Sequence, residues 1–443
     1  TSTRPVQLSA ALTAARTYRI DSSGSGPLVL DNFQNITTGN FAMLFELRGS
    51  NTDGNRINSV IGDGVGALNL VKADGGVWIL GNTANTFTGG LRADGGLLGL
   101  ATNASAGATG FLAPTTAATT TTTVTVASTT GLKPGMFVYG SGVGYGDYIV
   151  SITNGTQFVI STARTIASGT QLQFGGIGMS NGGIFATDAV AGLTITQPIT
   201  INNNTTALFT GAGNITLNGA LQLQAGNNVI TISNNLESGA VLTIDGPFIN
   251  NKANDQTLNF RGMADTVLNS TITNSIVGNT TSLSIAIASD KTFTIGGGSP
   301  NTHTGTTSLT NGILKIGKVG AFGSGNFDIA GGTVMADLAL TGANKITNTT
   351  RFVGSPSQFT GAYSIELGGT TVLNASRNVE NNLSGGAQLI ISGTINNSAA
   401  STLTLYGSGD TVINSAYVAG TGANGLQMAG TGTVTITAAA AAT

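Results

Sequence analysis

Residues 301–314 read NTHTGTTSLTNGIL, and residues 315–333 continue KIGKVGAFGSGNFDIAGGT. Two short pieces, Thr306 to Leu309 and Ile313 to Ile316, flank the turn pair Asn311-Gly312. A third, Asn326 to Ile329, is fenced by Gly323-Ser324-Gly325 before it and Gly331-Gly332 after it. Each run is too short to carry a helical stripe, and each is closed by Gly or Asn, the residues that tolerate turn backbone. The stretch is a set of short strands joined by tight turns.

The unit recurs. Asn85-Thr86-Phe87-Thr88-Gly89-Gly90 is the counterpart of Asn301-Thr302-His303-Thr304-Gly305-Thr306, and Ser357-Gln358-Phe359-Thr360-Gly361-Ala362 is a looser third copy. Around the Asn85 copy, Ala73-Asp74-Gly75-Gly76 returns 20 positions later as Ala93-Asp94-Gly95-Gly96. Self-similarity at such a period marks stacked coils, each covering the apolar face of the one before. Ala67 to Val71, Val77 to Leu80 and Leu97 to Leu100 supply strands in this region. From Gly192 onward Leu193-Thr194-Ile195, Ile215-Thr216-Leu217, Val241 to Ile244, Leu389-Ile390-Ile391 and Val434-Thr435-Ile436 keep the rhythm, aliphatic residues alternating with hydroxyl-bearing or amide neighbours. The predicted fold class is all-β, a parallel β-solenoid of roughly 20 residues per coil. Asn202 to Asn204, Asn227-Asn228, Asn234-Asn235 and Asn396-Asn397 are expected at its corners.

The Asn85 copy is interrupted. Where a strand equivalent to Asn326 to Ile329 is due, residues 113–174 intervene, and the awaited piece returns as Ile177-Gly178-Met179 and runs to Ala186. The intervening stretch has the threonine run Thr119 to Thr123, the turn Lys133-Pro134-Gly135 and strand pieces Val124 to Val126, Phe137 to Tyr139, Tyr148 to Val150 and Phe158 to Ile160. It reads as one small inserted antiparallel β module. The chain thus divides into a cap with the first coils (1–49), a first solenoid part (50–112), the module (113–174) and a second solenoid part (175–443). Within the cap, Val6 to Ala15 reads as a short helix or an irregular segment.

Composition narrows the function classes. Charged residues make up 8% of the chain, against about 25% in an ordinary soluble domain. The 40% hydrophobic content, spread in short clusters, argues against disorder. Net charge is -2 with no block of Lys or Arg, so the electrostatic footprint of a nucleic-acid binder is missing. A charge so near zero suits subunits that pack side by side or end to end. There is no cysteine for a disulfide, a thiolate metal site or a nucleophile. No apolar run is long enough to insert in a membrane, and a chain opening on Thr1 without a signal-peptide pattern is expected to be processed and soluble.

The quoted unit resembles the autotransporter-associated β-strand repeat of bacterial passenger domains. That pattern has an N-T-aromatic-T-G-T strand, a second strand ending in G-x-L-x-L-G, and an A-L-G-S-G-N turn before a further strand and Gly-Gly. Here those are Asn301 to Thr306, Gly312 to Gly317, and Ala321 to Asn326. The resemblance implies a right-handed parallel β-helix displayed outside the cell. The insert is similar to modules of phage fibres and large surface adhesins.

Several residues invite a chemical reading. His303 is the only histidine, but its aligned positions are Phe87 and Phe359, which makes it an occupant of an aromatic slot. Gly312 to Val319, GILKIGKV, fits most of a phosphate-binding loop, yet Val319 stands where a hydroxyl must hold magnesium. Gly62-Asp63-Gly64 is similar to one calcium-binding solenoid turn, a motif that works only in tandem. Asp74 and Asp94 lie one coil apart, as paired carboxylates would, but both precede Gly-Gly and serve equally as turn formers. The loop Gly140 to Gly146 with Tyr139, Tyr145 and Tyr148 either offers aromatic contacts to a partner or fills the module's core. No catalytic, cofactor-binding or metal-binding residue is assigned.

These features together predict a non-enzymatic structural protein, located extracellularly or at the bacterial cell surface: a filament, surface-layer or adhesin-stalk subunit. Its module would project toward a surface glycan or protein, and its chain ends, Thr1 to Thr3 and Ala438 to Thr443, would join subunits. The alternatives are a phage tail fibre or receptor-binding protein, and a β-helix polysaccharide-degrading enzyme.

Overall fold

The computed structural model describes residues 5–188, 190–202, 204–224, 229–250, 254–274, 279–397, 401–419 and 425–437. The chain ends expected to join subunits lie outside the described residues, as do the corner residues Asn203, Asn227 and Asn228. Two compact units are present, Thr1–Gln256 with Ser275–Asn279 and Thr257–Asn274 with Thr280–Thr443. Each is a parallel β-solenoid.

In the first unit one ladder runs through Arg16–Asp21, Met43–Arg48, Leu68–Lys72, Gly90–Ala93, Ile177–Met179, Ile199–Ile201, Leu221–Leu223 and Phe248–Asn250. A second stacks Asn55–Ile57, Val77–Leu80, Leu97–Leu100, Gly183–Ala186 and Thr206–Gly211, and a third Leu193–Ile195, Ile215–Leu217 and Val241–Ile244. The second unit repeats the scheme. Thr307–Asn311, Phe327–Ile329, Thr350–Phe352 and Thr371–Leu373 form one ladder, and Thr292–Ile295, Ile313–Ile316, Thr333–Ala336 and Ser357–Gly361 another.

Strands this short hold because each turns alternate side chains, most of them apolar, into the interior stack. Phe293, Leu314, Val334 and Phe359 stand opposite one another in successive strands, and all are fully buried. Lys315, the neighbour of Leu314, faces outward and pairs with Asp337 at 2.9 Å. Each buried aliphatic or aromatic side chain contributes about 1.5–3 kcal/mol, and the same gain recurs at every coil.

Three expectations change. The period is not uniform: Val77 stands opposite Leu97, 20 residues on, whereas Met43 meets Leu68 after 25 and Ile215 meets Leu242 after 27. Packing fixes the ladders, while surface corners absorb extra residues at little cost. Of the two readings of Val6 to Ala15 the helix fails and the irregular one holds, with strand Val6–Leu8 paired to Phe33–Asn35 and Ala11 bridged to Thr38. Asn234-Asn235 lie inside strand Val229–Leu236, while Asn396-Asn397 close strand Ile395–Asn397. Asn234 points inward, and its Oδ1 accepts the Leu236 N–H at 3.2 Å, so the amide serves the interior of a strand as well as a turn.

The insertion is antiparallel, as expected, and register measures it. Thr307 stands opposite Phe327, an offset of 20, while the equivalent Leu91 stands opposite Ile177, an offset of 86. The split coil carries 66 extra residues by this measure, and its strand resumes at Ile177.

Candidate functional site

The most elaborated place in the first unit is the seam where the module lies on the coils. Phe111–Pro114 and Gln171–Phe174 pair as an antiparallel stem, with Val138–Tyr139 on the far side of the latter. A second small sheet holds Thr123–Thr125, Gln157–Ile160 and Ile149–Asn154. Val124, Val138, Ile149, Phe158, Leu172 and Phe174 form its core together with Ala67 of the coils, so the module's interior is continuous with the solenoid flank.

Beneath the module the coils lose their alternation. Leu68–Lys72 is buried at all five positions, and Ile199–Ile201 and Leu221–Leu223 at all three. The outward polar residues become handles. Asn69 Nδ2 donates to Gly135 O at 2.6 Å, Gln222 Nε2 to Gln171 O at 2.6 Å, and Thr200 Oγ1 to Gln173 Oε1 at 2.8 Å. Lys133 reaches across to Asp63 at 3.2 Å.

The tyrosines sit in this seam. Tyr139 is wholly buried, with its ring centroid 5.9 Å from Phe137 and 5.7 Å from Tyr145. Tyr145 donates its hydroxyl to Asp94 Oδ1 at 2.8 Å and lies 4.4 Å from the Arg92 guanidinium, which also covers Phe137 at 5.2 Å and pairs with Asp94. Burial raises the pKa of both phenols, that of Tyr145 well above its ordinary value. Gly178 makes room, since a Cβ there would lie 2.7 Å from the Tyr139 hydroxyl and 3.0 Å from that of Tyr145. Of the two readings, core filling holds for Tyr139, and Tyr145 likewise turns its ring to the coils. Tyr148 remains half-buried and lines a groove of about 170 Å³ with Arg16, Leu44, Asn69, Arg92 and Phe137.

The other chemical candidates are occupied locally. Asp74 binds Arg48 at 3.0 Å and the Gly49 N–H at 3.1 Å, and the Arg48 hydrogen bond leads the causes that lower its pKa to about 2. Asp94 is tied to Arg92 and Tyr145. An acid–base pair needs two carboxyl groups pushed apart in pKa, and here each carboxylate is engaged by its own guanidinium. Asp63 accepts the Leu68 and Thr88 N–H groups at 2.9 Å each, which commits it to the turn. His303 is buried with Nε2 2.9 Å from Thr307 Oγ1, and burial lowers its pKa to about 4. Its aligned residues Phe87 and Phe359 are equally buried, as an aromatic slot requires. Gly312 is a turn residue at φ 91° leading into strand Ile313–Ile316, whereas a phosphate loop would lead into a helix. Among the described residues, no cluster of three or more His, Cys, Asp or Glu is gathered for a metal, and no helix is long and apolar enough to cross a membrane.

Two lysines carry no signal strong enough to single them out in the sequence. Lys72 is fully buried, and its ammonium donates to the carbonyls of Ala73, Asp74 and Gly95, stitching consecutive turns together. Lys318 is also buried, beside Asn301. Each lies in the two residues after an aliphatic strand position and shortly before a Gly-containing turn, which is the only local hint. Comparison with known family models, curated proteins and solved structures finds no match for this chain.

Proposed function

We propose that this chain is a non-enzymatic structural protein of the bacterial cell exterior, a subunit of a surface filament, surface layer or adhesin stalk built from repeats of the autotransporter-associated kind. The observation that carries the reading is the uninterrupted parallel ladder in each unit, with aliphatic stacks inside and short polar side chains outside. Such a ladder distributes tension over many interstrand hydrogen bonds. The carboxylates most suggestive of chemistry, Asp74 and Asp94, are each neutralised by an arginine, which supports a structural role. Self-association through the chain ends belongs to the same proposal, and the module, clamped to the coils, serves as a rigid outward shelf.

Electron microscopy of the purified full chain over a range of concentrations, alongside gold-labelled antibody on intact cells, tests this. Filaments or sheets and surface label are expected. A monodisperse monomer at every concentration, together with label confined to the cell interior, would sink it, and sugar release from polysaccharides would favour the enzyme alternative.

A further inference from the structure

The turn that closes the quoted unit buries a cation beside a cavity. Lys318 is 4% exposed, and its Nζ donates to Asn301 Oδ1 at 2.9 Å. That oxygen also accepts the Ile272 N–H at 2.9 Å, and Asn301 Nδ2 donates to Ala321 O at 2.6 Å, so the amide is oriented independently of the lysine. Among the described residues no carboxylate pairs with Lys318; Asp337 pairs with Lys315, and Glu366 lies 3.6 Å from Lys345. An ammonium carries three donors, and one is met here by Asn301. The side chain borders a cavity of about 140 Å³ shared with Phe322, Leu340, Asn344, Lys345 and Asn348.

Lys72 shows the contrast. There three backbone carbonyls surround the ammonium, and Asp74 lends a favourable charge. Lys318 has one neutral acceptor, no counter-charge and open space, with a second lysine at the wall. A buried charge without a partner costs several kcal/mol. Water in the cavity would meet the donors but not the charge, while an anionic oxygen meets both through a charge-assisted hydrogen bond. The volume has room for several water molecules or one small anion in their place.

We propose that the Lys318 cavity is a binding site for a single small oxyanion, either inorganic phosphate or a short carboxylate, gripped by Lys318 with Lys345 at its wall. The site owes nothing to phosphate-loop geometry, since the backbone on either side of Gly312 is strand. It also stands independently of the surface role proposed above, because an anion would act here as a built-in counter-ion for the corner.

Thermal unfolding of the full chain in phosphate, in acetate and in sodium chloride at matched ionic strength tests the proposal. A saturable rise in Tm of roughly 2–4 °C is expected in one of the two oxyanions and is lost in Lys318→Met, which keeps the volume and removes the charge. Equal responses in both proteins, or none in the wild type, would overturn it. Crystals of the wild type soaked in selenate give a reading that needs no variant: an anomalous peak within hydrogen-bond reach of Lys318 Nζ supports the site, and a cavity holding water alone refutes it.

Discussion

The copies at Asn85 and Asn301 share a corner and differ in the chain beyond it. Asn85 Oδ1 accepts the Ile61 N–H at 2.8 Å and Asn301 Oδ1 accepts that of Ile272 at 2.9 Å, while Nδ2 of each donates to a carbonyl 20 residues ahead, Ser105 or Ala321. Ala108 N–H meets Phe87 O at 2.9 Å, as Ser324 N–H meets His303 O at 2.9 Å. Past that point one copy turns directly into its next strand, and the other makes a 66-residue excursion and resumes in the same register. Coil closure therefore rests on an amide bridge, an aromatic slot and a glycine, and the segment after the glycine is free to grow.

The glycine gives the largest test. Gly323 has φ 59°, and a Cβ there would sit 2.0 Å from His303 O; at Gly107, φ 84°, it would sit 2.6 Å from the Phe87 ring and 2.7 Å from Phe87 O. Gly323→Ala is expected to cost ~3–5 kcal/mol, since the strained φ and the backbone clash add. Gly107→Ala is expected to cost less, because its nearest backbone atom, Phe87 O, is 2.7 Å away where that at Gly323 is 2.0 Å. Gly75→Ala, with open space around it, is the control. Urea unfolding of the three variants checks the order, and three equal midpoints would break the claim that the corner is the shared element.

The amide bridge comes next. Asn301→Ala strands the Ile272 N–H, the Ala321 carbonyl and the Lys318 ammonium, whereas Asn85→Ala strands the Ile61 N–H and the Ser105 carbonyl. At about 1 kcal/mol or more per buried orphan, the first is expected to lose ~3–4 kcal/mol and the second ~2 kcal/mol. Equal losses would mean that Lys318 finds another acceptor.

The range of an interaction along the chain decides whether it was legible in the sequence. Val77–Leu80, Leu97–Leu100 and Ile313–Ile316 could be read to the residue, because local alternation and flanking glycines mark them. The insertion was legible because the Asn301 copy supplied a complete frame. The seam was not: Gln222 and Thr200 look like any solvent-facing residues of a strand, and only contact with residues 171 and 173 buries them. Which of the two readings held for Tyr139 and Tyr145 was hidden for the same reason, since Arg92 and Asp94, beside which they pack, lie about fifty residues earlier in the chain. The varying coil length was invisible because corner residues carry no apolar pattern.

His303 sharpens the comparison through pH. Its folded pKa of about 4 lies below the ordinary 6.5. Between these values the unfolded chain binds the proton and the folded chain does not, so stability is fully present above pH 6.5 and falls as pH drops toward 4. By about pH 4.5 the loss from this residue is roughly 2.5 kcal/mol. His303→Phe restores the aromatic of the Asn85 unit but leaves the buried Thr307 hydroxyl without its partner, so it is expected to remove that part of the acid sensitivity while costing ~1–2 kcal/mol near neutral pH. Denaturation midpoints at about pH 7 and about pH 4.5 decide it, and parallel losses in both proteins would place the acid sensitivity elsewhere.

The smallest effects belong to the seam, where the split copy has what the intact copy lacks. Tyr145 bonds Asp94 through its hydroxyl, while the hydroxyl of Tyr139 is buried without a hydrogen-bond partner. Tyr145→Phe leaves Asp94 still paired with Arg92 and should cost ~1 kcal/mol; Tyr139→Phe removes an unmet polar group from a dry site and should be neutral or slightly stabilising. Both keep the rings beside Gly178, and Tyr145→Phe keeps its ring against Arg92, so neither should change the coils. The measurement is proteolysis of the Gly140 to Gly146 loop under native conditions, with Tyr145→Phe cut faster than wild type and Tyr139→Phe no faster. If the two variants behave alike, the hydroxyl bond does not fasten the module, and its attachment must rest on the amide handles Asn69 and Gln222 and on the shared apolar core at Ala67.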